Sequence, residues 1–432
     1  MNYYWKIAIN GFMRQWTFSV VIVVIISIGI AASTSMMMVL HTLNADPLPG
    51  VSDRVFHPQL EPSVAGRSAS GDELPDALMW DDAMNLLHAK AGKRKATILE
   101  GQVTVVPQEG ASHSYFAKAL FTQAAFFQMF RVPFTSGGSW TTNEDAGGAH
   151  VVVVTNDLAQ RTFGSVDAVG RTLRLGDVDF RVVGVIGSWN PRPRFYDLGD
   201  GPFAAGEQIY MPLNTSRALS IEPWSSPACW GKGMPDMDHL DRAPCTWVTF
   251  WVELETAKER NNYLKFLANY STQQKAAGRF YGAPNVRLSN VTEWLTANRV
   301  VPNAARLQSF IAYSFLLICI FNAAGLLMVM FLRRRRELGL RRALDATKQQ
   351  VFLHLFAETS GLALASAISG SLLTWVALAI LRNRPEAYYA NIQVDAWMVL
   401  VGLLMAIIAT LVATLLPAWQ VTRGNPYLML KS

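Results

Sequence analysis

Charged residues make up only 16% of this 432-residue chain, and cysteine occurs three times, at Cys229, Cys245 and Cys319. So little charge beside a hydrophobic fraction of 51% excludes an ordinary soluble protein. So few cysteines exclude a disulfide-dense secreted scaffold. Catalytic signatures are missing as well. The glycines of GSVDAVGRT lack the lysine and the spacing of a phosphate-binding loop, and no G-x-G-x-x-G follows a strand. H-E-x-x-H, paired C-x-x-C and the G-x-S-x-G elbow are absent, which leaves metalloprotease, zinc-module and serine-hydrolase readings without support. The chain reads as no enzyme: it binds no cofactor, and any ATP that powers it belongs to another chain.

What the sequence has is apolar length. Four uncharged stretches, 16–40, 310–332, 359–381 and 396–418, each supply the roughly 20 residues a helix needs to cross a bilayer. Ahead of the first, residues 1–15 set Tyr4, Ile7 and Phe12 against Lys6 and Arg14, a pattern that suits a cytoplasmic interfacial helix. The first apolar core is too long for a cleaved signal and reads as an uncleaved anchor. Lys6 and Arg14, the arginine run 333–336, and Arg423 with Lys431 fall on one side of the membrane, which the positive-inside rule makes the cytoplasm. The net charge of +6 thus belongs to a lipid surface and not to nucleic acid. Residues 419–432 form a cytoplasmic tail, while residues 382–395 are a short outer loop.

Residues 41–309 lie outside and read as a folded α/β domain of two lobes. Strands at 54–60, 96–106, 114–122 and 246–254, with helices at 78–89 and 257–278, make a mixed lobe from about 41–125 and 245–305. A mainly β insert occupies about 126–244. Within it, SWNPRPRFYDLGDGPFAAG carries too much proline and glycine for a strand and reads as an exposed loop. Cys229 and Cys245 flank a polar segment in this outer domain, where an oxidising compartment favours a bridge over two free thiols. Asp236, Asp238, His239 and Asp241 between them fit no standard ligand spacing and read as a solvated acidic loop, so no metal is expected.

The run FLRRRRELGLRRALDATKQQ does more than stop a span. Leu338, Leu340, Leu344 and Val351 make an apolar stripe, so the second span is expected to continue as a cytoplasmic helix. It would turn near 345–347 and lead into the third span, giving a hairpin over 333–358. Glu337 would pair with Arg341, and Glu358, costly against lipid, would face a neighbouring helix, with His354 one turn away.

The segment from Asn322 to Glu358 resembles the stretch between the second and third membrane helices of MacB/FtsX-type ABC transporter permeases. Asn322, Arg335, Arg336, Glu337, Gly339, Arg342, Ala343, Leu344, Ala346, Thr347 and Glu358 match its pattern, and Asp345 departs from its usual glycine. FTQAAFFQMFRVPFTSGGSW and the stretch 151–186 are similar to the family's periplasmic core domain, and LLPAWQVTRGNPYLMLK resembles its ending, with Val421 for the usual alanine. The resemblance implies an α+β membrane protein with four transmembrane helices in a 1+3 arrangement and a large two-lobed α/β periplasmic domain between the first and second.

It also implies an inner-membrane permease that couples ATP and Mg on a separate ATP-binding subunit to periplasmic movement. A second permease copy or related permease, a periplasmic adaptor and an outer-membrane channel would complete an efflux pump for peptides, toxins or amphiphilic drugs. Lipoprotein release, or a non-transporting sensor or scaffold, are the alternatives. The coupling surface would be Arg335, Arg336, Glu337, Leu338, Gly339, Leu340, Arg341, Arg342, Ala343 and Leu344, with Asn322 and Glu358 as intramembrane polar residues. Arg333 and Arg334 read mainly as membrane anchors.

Overall fold

The structure is a computed structural model that describes residues 15–62, 74–107, 113–224, 227–230, 239–334, 336–337, 340, 344, 347–384, 389 and 396–423. The expected interfacial helix at 1–15, most of the outer loop 382–395 and the end of the 419–432 tail lie outside the described residues. The chain divides into two compact units, 1–45 with 301–432, and 46–300.

The first unit opens with α1 (Trp16–Leu43). The second contains β1 (Val55–Leu60), β2 (Leu78–Met79), α2 (Trp80–His88), β3 (Arg94–Val106) and β4 (Tyr115–Thr122). It continues with α3 (Ala125–Met129), β5 (Phe134–Gly137), α4 (Thr142–Gly147), β6 (Val151–Thr155), α5 (Asn156–Phe163), β7 (Thr172–Leu175) and β8 (Val178–Ile186). β9 (Ile209–Pro212), α6 (Leu213–Ala218), β10 (Ala228–Cys229), β11 (Cys245–Glu253), α7 (Ala257–Ala276), β12 (Val286–Asn290) and α8 (Val291–Ala297) complete it. The first unit then resumes with α9 (Asn303–Arg333), α10 (Lys348–Arg382) and α11 (Ala396–Arg423).

In the unit 46–300, one hydrogen-bonded sheet runs through both lobes expected from sequence, in the order β12-β1-β11-β3-β4-β9-β6-β8-β5. The late strands β11 and β12 flank β1 antiparallel, so the two ends of the domain meet in the sheet. β4 and β9 pair in parallel and carry the sheet into the insert. Period-2 alternation sorts the long strands onto two cores. Leu99, Val103, Phe121 and Val252 belong to one, while Ile98, Leu120 and Trp251 belong to the other.

One expectation fails here. The proline- and glycine-rich stretch 188–206 is irregular but exposed only in part: Ser188, Asn190, Gly199, Asp200 and Ala205 face solvent, while Arg194, Phe195 and Tyr196 are buried. A buried loop needs partners for its backbone. Trp251 and Trp294 supply them, donating their indole N–H groups to the carbonyls of Tyr196 at 3.0 Å and Phe195 at 3.1 Å. The Arg194 guanidinium is met by Glu100 and by Glu207, the latter at 2.8 Å. Tyr196 donates its hydroxyl to Glu207 at 2.7 Å.

In the other unit, α1, α9 and α10 (the last from Gln349) are long and apolar enough to cross a membrane. α11 contains a shorter described apolar stretch, Leu400–Leu415, so the structure supports three crossings, and the fourth stays with the sequence pattern. Small residues bring the helices close. A Cβ on Gly29 would lie 3.0 Å from Cβ of Cys319 on α9, and one on Gly370 of α10 would lie 3.0 Å from Ile30 of α1. Ser33 donates to the carbonyl of Ala312 at 2.9 Å, and Ser27 hydrogen-bonds Ser369 hydroxyl to hydroxyl at 2.6 Å.

Candidate functional site

The sequence places the coupling surface in the basic segment between α9 and α10. α9 does not run on through it: the helix ends at Arg333, and Arg334 closes it as C-cap with φ −105° and ψ 15°. The Arg334 N–H bonds to Phe331 O at 3.1 Å, a tightened last turn. Beyond this break Arg336, Glu337 and Leu340 are again helical, and Leu344 lies in a turn. Arg335, Leu338, Gly339, Arg341, Arg342 and Ala343 lie outside the described residues, as does Asp345. Thr347 then opens α10 through a capping box with Gln350, each side chain satisfying a backbone N–H of the other residue.

The described residues of the stripe divide. Leu340 is 56% exposed and Leu344 74% exposed, whereas Val351, expected on the same stripe, is buried in the helical core. Val351 sits in the first turn of α10, whose inner face packs on the bundle, so the stripe ends before it.

The arginines at the break are more than anchors. Arg334 donates from Nη1 to Oε1 of Glu358 on α10 at 2.5 Å and from Nε to Oε2 of Glu337 at 3.3 Å. Glu337 thus pairs three residues back with Arg334, while Arg341, its expected partner, lies outside the described residues. Side-chain exposure is 11% for Arg334 and 5% for Glu358, so the pair is largely withdrawn from water. Such a pair costs desolvation of both charges, and it persists because each supplies the other's counter-charge. Oε2 of Glu358 is buried without a hydrogen-bond partner among the described residues. Arg333, next to it, holds its guanidinium 4.9 Å from the ring centre of Phe18 on α1. A cation withdrawn at a helix end needs a nearby carboxylate, and the sequence offers Glu358 as one. Sequence spacing alone points Glu358 toward His354 instead.

Asn322 lies on the exposed side of α9, next to Phe321, which is 63% exposed. In the other unit Cys229 and Cys245 face each other across β10 and β11 and are joined in a disulfide, with their Cα atoms 4.1 Å apart.

A model of the MacB-like periplasmic core domain matches residues 19–256, and one of the FtsX-like permease C-terminal region matches 309–426. The chain belongs to the MacB/FtsX-type permease family. An ABC transporter permease protein of Mycobacterium tuberculosis is 33% identical over 101 residues, 22% of this chain and 12% of that relative. Among solved structures, the periplasmic region of MacB from Actinobacillus actinomycetemcomitans is 14% identical, with 59% of this chain and 96% of that one covered and a TM-score of 0.37. The extracellular domain of the ABC-type transporter YknZ from Gram-positive bacteria is 12% identical, with 55% and 100% covered and a TM-score of 0.35. The assignment rests on the two family models. As a MacB/FtsX-type permease with apolar helices long enough to cross a bilayer, the chain is a multi-pass membrane protein of the ABC permease kind.

Proposed function

We propose that this permease couples ATP hydrolysis on a separate ATP-binding subunit, which also holds the Mg, to movement of its own outer domain. The observation that carries this reading is the exposure of Leu340 and Leu344 in a basic segment between two spanning helices. Apolar side chains held in water beside arginines form a docking surface for a soluble partner. We place the N- and C-termini in the cytoplasm, the chain in the inner membrane with α11 as a fourth crossing, and residues 46–300 in the periplasm. The permease works as a dimer, with a second copy or a related permease, and with a periplasmic adaptor and outer-membrane channel it expels peptides, toxins or amphiphilic drugs.

The test is to purify the full chain in mild detergent, identify what accompanies it and assay ATP hydrolysis. An ATP-binding subunit with an adaptor supports efflux. An ATP-binding subunit with a lipoprotein-handling partner, and no adaptor, moves the reading to lipoprotein release. A chain recovered alone after cross-linking, without ATPase activity, overturns the transporter reading in favour of a sensor.

A further inference from the structure

The end of α9 gathers three attachments within two residues. Arg333 lies over Phe18 at the start of α1. Arg334 is held by Glu358, on the third turn of α10, and by Glu337 of the segment between the helices. The backbone leaves the helix at Arg334, so Arg336, Glu337 and Leu340, helical again beyond it, are not a rigid extension of α9. A broken helix transmits a push poorly through its backbone, because two soft dihedrals at the break absorb the rotation. A side-chain link across the break restores the connection.

The Arg334 guanidinium is shaped for this task. It is planar and always charged, with donors on several sides, so it holds carboxylates from two elements at once, which a lysine point charge does less well. The Glu358 end is the deeper one, at 5% side-chain exposure against 29% for Glu337. The strong contact therefore faces α10, and the looser contact faces the segment that carries Leu340.

We infer that Arg334 is a positioning residue for coupling: it ties the segment bearing Glu337 and Leu340 to α10 through Glu358, so that a displacement of that segment reaches α10 directly. The inference rests on the proposed coupling to an ATP-binding subunit, and it assigns a role to a residue outside the docking surface itself. Glu337 is the part that moves with the partner, Arg334 is the pivot, and Glu358 is the point on α10 that receives the displacement. A purely structural ion pair would instead stabilise the bundle without affecting how a bound partner's ATPase responds.

The experiment uses the full chain, co-purified with its ATP-binding subunit and reconstituted in lipid nanodiscs. It compares ATP hydrolysis by the assembly with that of the isolated subunit, for wild type, Arg334→Gln, Arg334→Lys, Glu358→Gln and the exchange Arg334→Glu with Glu358→Arg. The expected result is normal subunit stoichiometry in every variant, with permease-dependent stimulation reduced roughly tenfold in Arg334→Gln and Glu358→Gln. Arg334→Lys recovers part of it, and the exchange recovers most, since a guanidinium carried by α10 can then bridge two carboxylates again.

Wild-type stimulation by both glutamine variants overturns the pivot and leaves the coupling reading intact. A wild-type chain that recruits no ATP-binding subunit removes the coupling reading and the pivot with it. Should the single variants fail to fold, the exchange decides: folded and stimulating supports the pivot, folded and unresponsive overturns it.

Discussion

The guanidinium of Arg194 donates to Oε1 of Glu207 at 2.8 Å, and both side chains are sealed from solvent beneath a loop that has no regular secondary structure. The same arginine meets Glu100 of β3, so one cation holds the loop to β3 and to the segment that leads into β9. Arg194→Met keeps much of the volume but leaves Glu207 without its counter-charge. It should cost about 3–5 kcal/mol, the usual loss when one partner of a buried pair is removed. Urea unfolding of the full chain, followed by tryptophan fluorescence, measures this. A loss below about 1 kcal/mol, the level of an exposed pair, would show that the loop is held by its aromatic contacts alone.

Glu100 and His57 give the unit 46–300 opposite responses to pH. Burial, with Asp197 and Glu207 adding negative charge nearby, pushes the Glu100 carboxyl from its ordinary 4.5 up to about 9, so the fold prefers it protonated. The stability this group contributes is full below about pH 4.5 and falls as pH rises through about 9. His57 is fully buried between Trp251 and Trp294, with Nδ1 and Nε2 each 2.9 Å from a backbone carbonyl, of Phe250 and Asp76. Burial lowers its pKa from 6.5 to about 4 against the raising effect of those carbonyls, so its contribution is present above pH 6.5 and lost as pH falls through about 4. Glu100→Gln should flatten the alkaline loss and leave the acid loss in place, read from denaturation midpoints between about pH 4 and pH 9, the two shifted values. An unchanged alkaline slope would remove Glu100 as its source.

These two clusters also show what the sequence could and could not tell. Alternation in strands such as β3 and β11, uncharged length in α1, α9 and α10, and the Cys229–Cys245 pairing were legible because each is a local pattern or a question of compartment. The burial of residues 194–196 was not, since proline and glycine mark irregular backbone and say nothing of what covers it. The partners that make its burial tolerable, Trp251, Trp294, Glu100 and Glu207, are distributed along the chain and meet only after the sheet forms. The break at Arg334 escaped for a similar reason: RRRREL is a good helical sequence, and it is a carboxylate 24 residues away that draws Arg334 inward.

Close approach of the helices gives a third prediction. Gly370→Leu puts a side chain where even a Cβ would sit 3.0 Å from Ile30, in the packed interface of α10 with α1. Overpacking of this kind costs about 1–3 kcal/mol. Gly325→Leu on α9 is the control, because a Cβ there meets nothing within 4 Å inside the chain. Thermal aggregation of the detergent-solubilised chain should fall in temperature for the first variant and hold for the second. Equal effects would mean that the α1–α10 contact does not limit stability.

Asn322 yields a fourth. It is a polar side chain on the exposed side of the apolar stretch of α9, among Ile318, Phe321 and Val329. An amide is costly against lipid, and the dimer proposed above would give it a polypeptide to face. Asn322→Leu should leave the monomer's thermal stability unchanged and weaken permease self-association by about 0.6–2 kcal/mol, roughly three- to thirtyfold in the dissociation constant. Dilution-dependent energy transfer between labelled copies in vesicles reads this directly. Unaltered association would place Asn322 outside any permease–permease contact.

Leu340 separates docking from folding most cleanly. At 56% exposure it contributes little to the packed bundle, and an aspartate there should change stability by no more than about 0.5 kcal/mol. The same charge on an apolar docking surface must be desolvated when the partner binds, which costs a few kcal/mol and lowers affinity by roughly a hundredfold. Leu340→Asp should therefore purify as a stable, monodisperse chain that no longer retains an ATP-binding subunit. Leu353→Asp, on the first turns of α10 and also exposed at 52%, tests whether any added charge near the membrane has the same effect. Loss in Leu340→Asp alone localises the contact to the segment after the Arg334 break. Equal loss in both variants would point to general disturbance of the bundle end, and full retention by Leu340→Asp would remove this leucine from the docking surface.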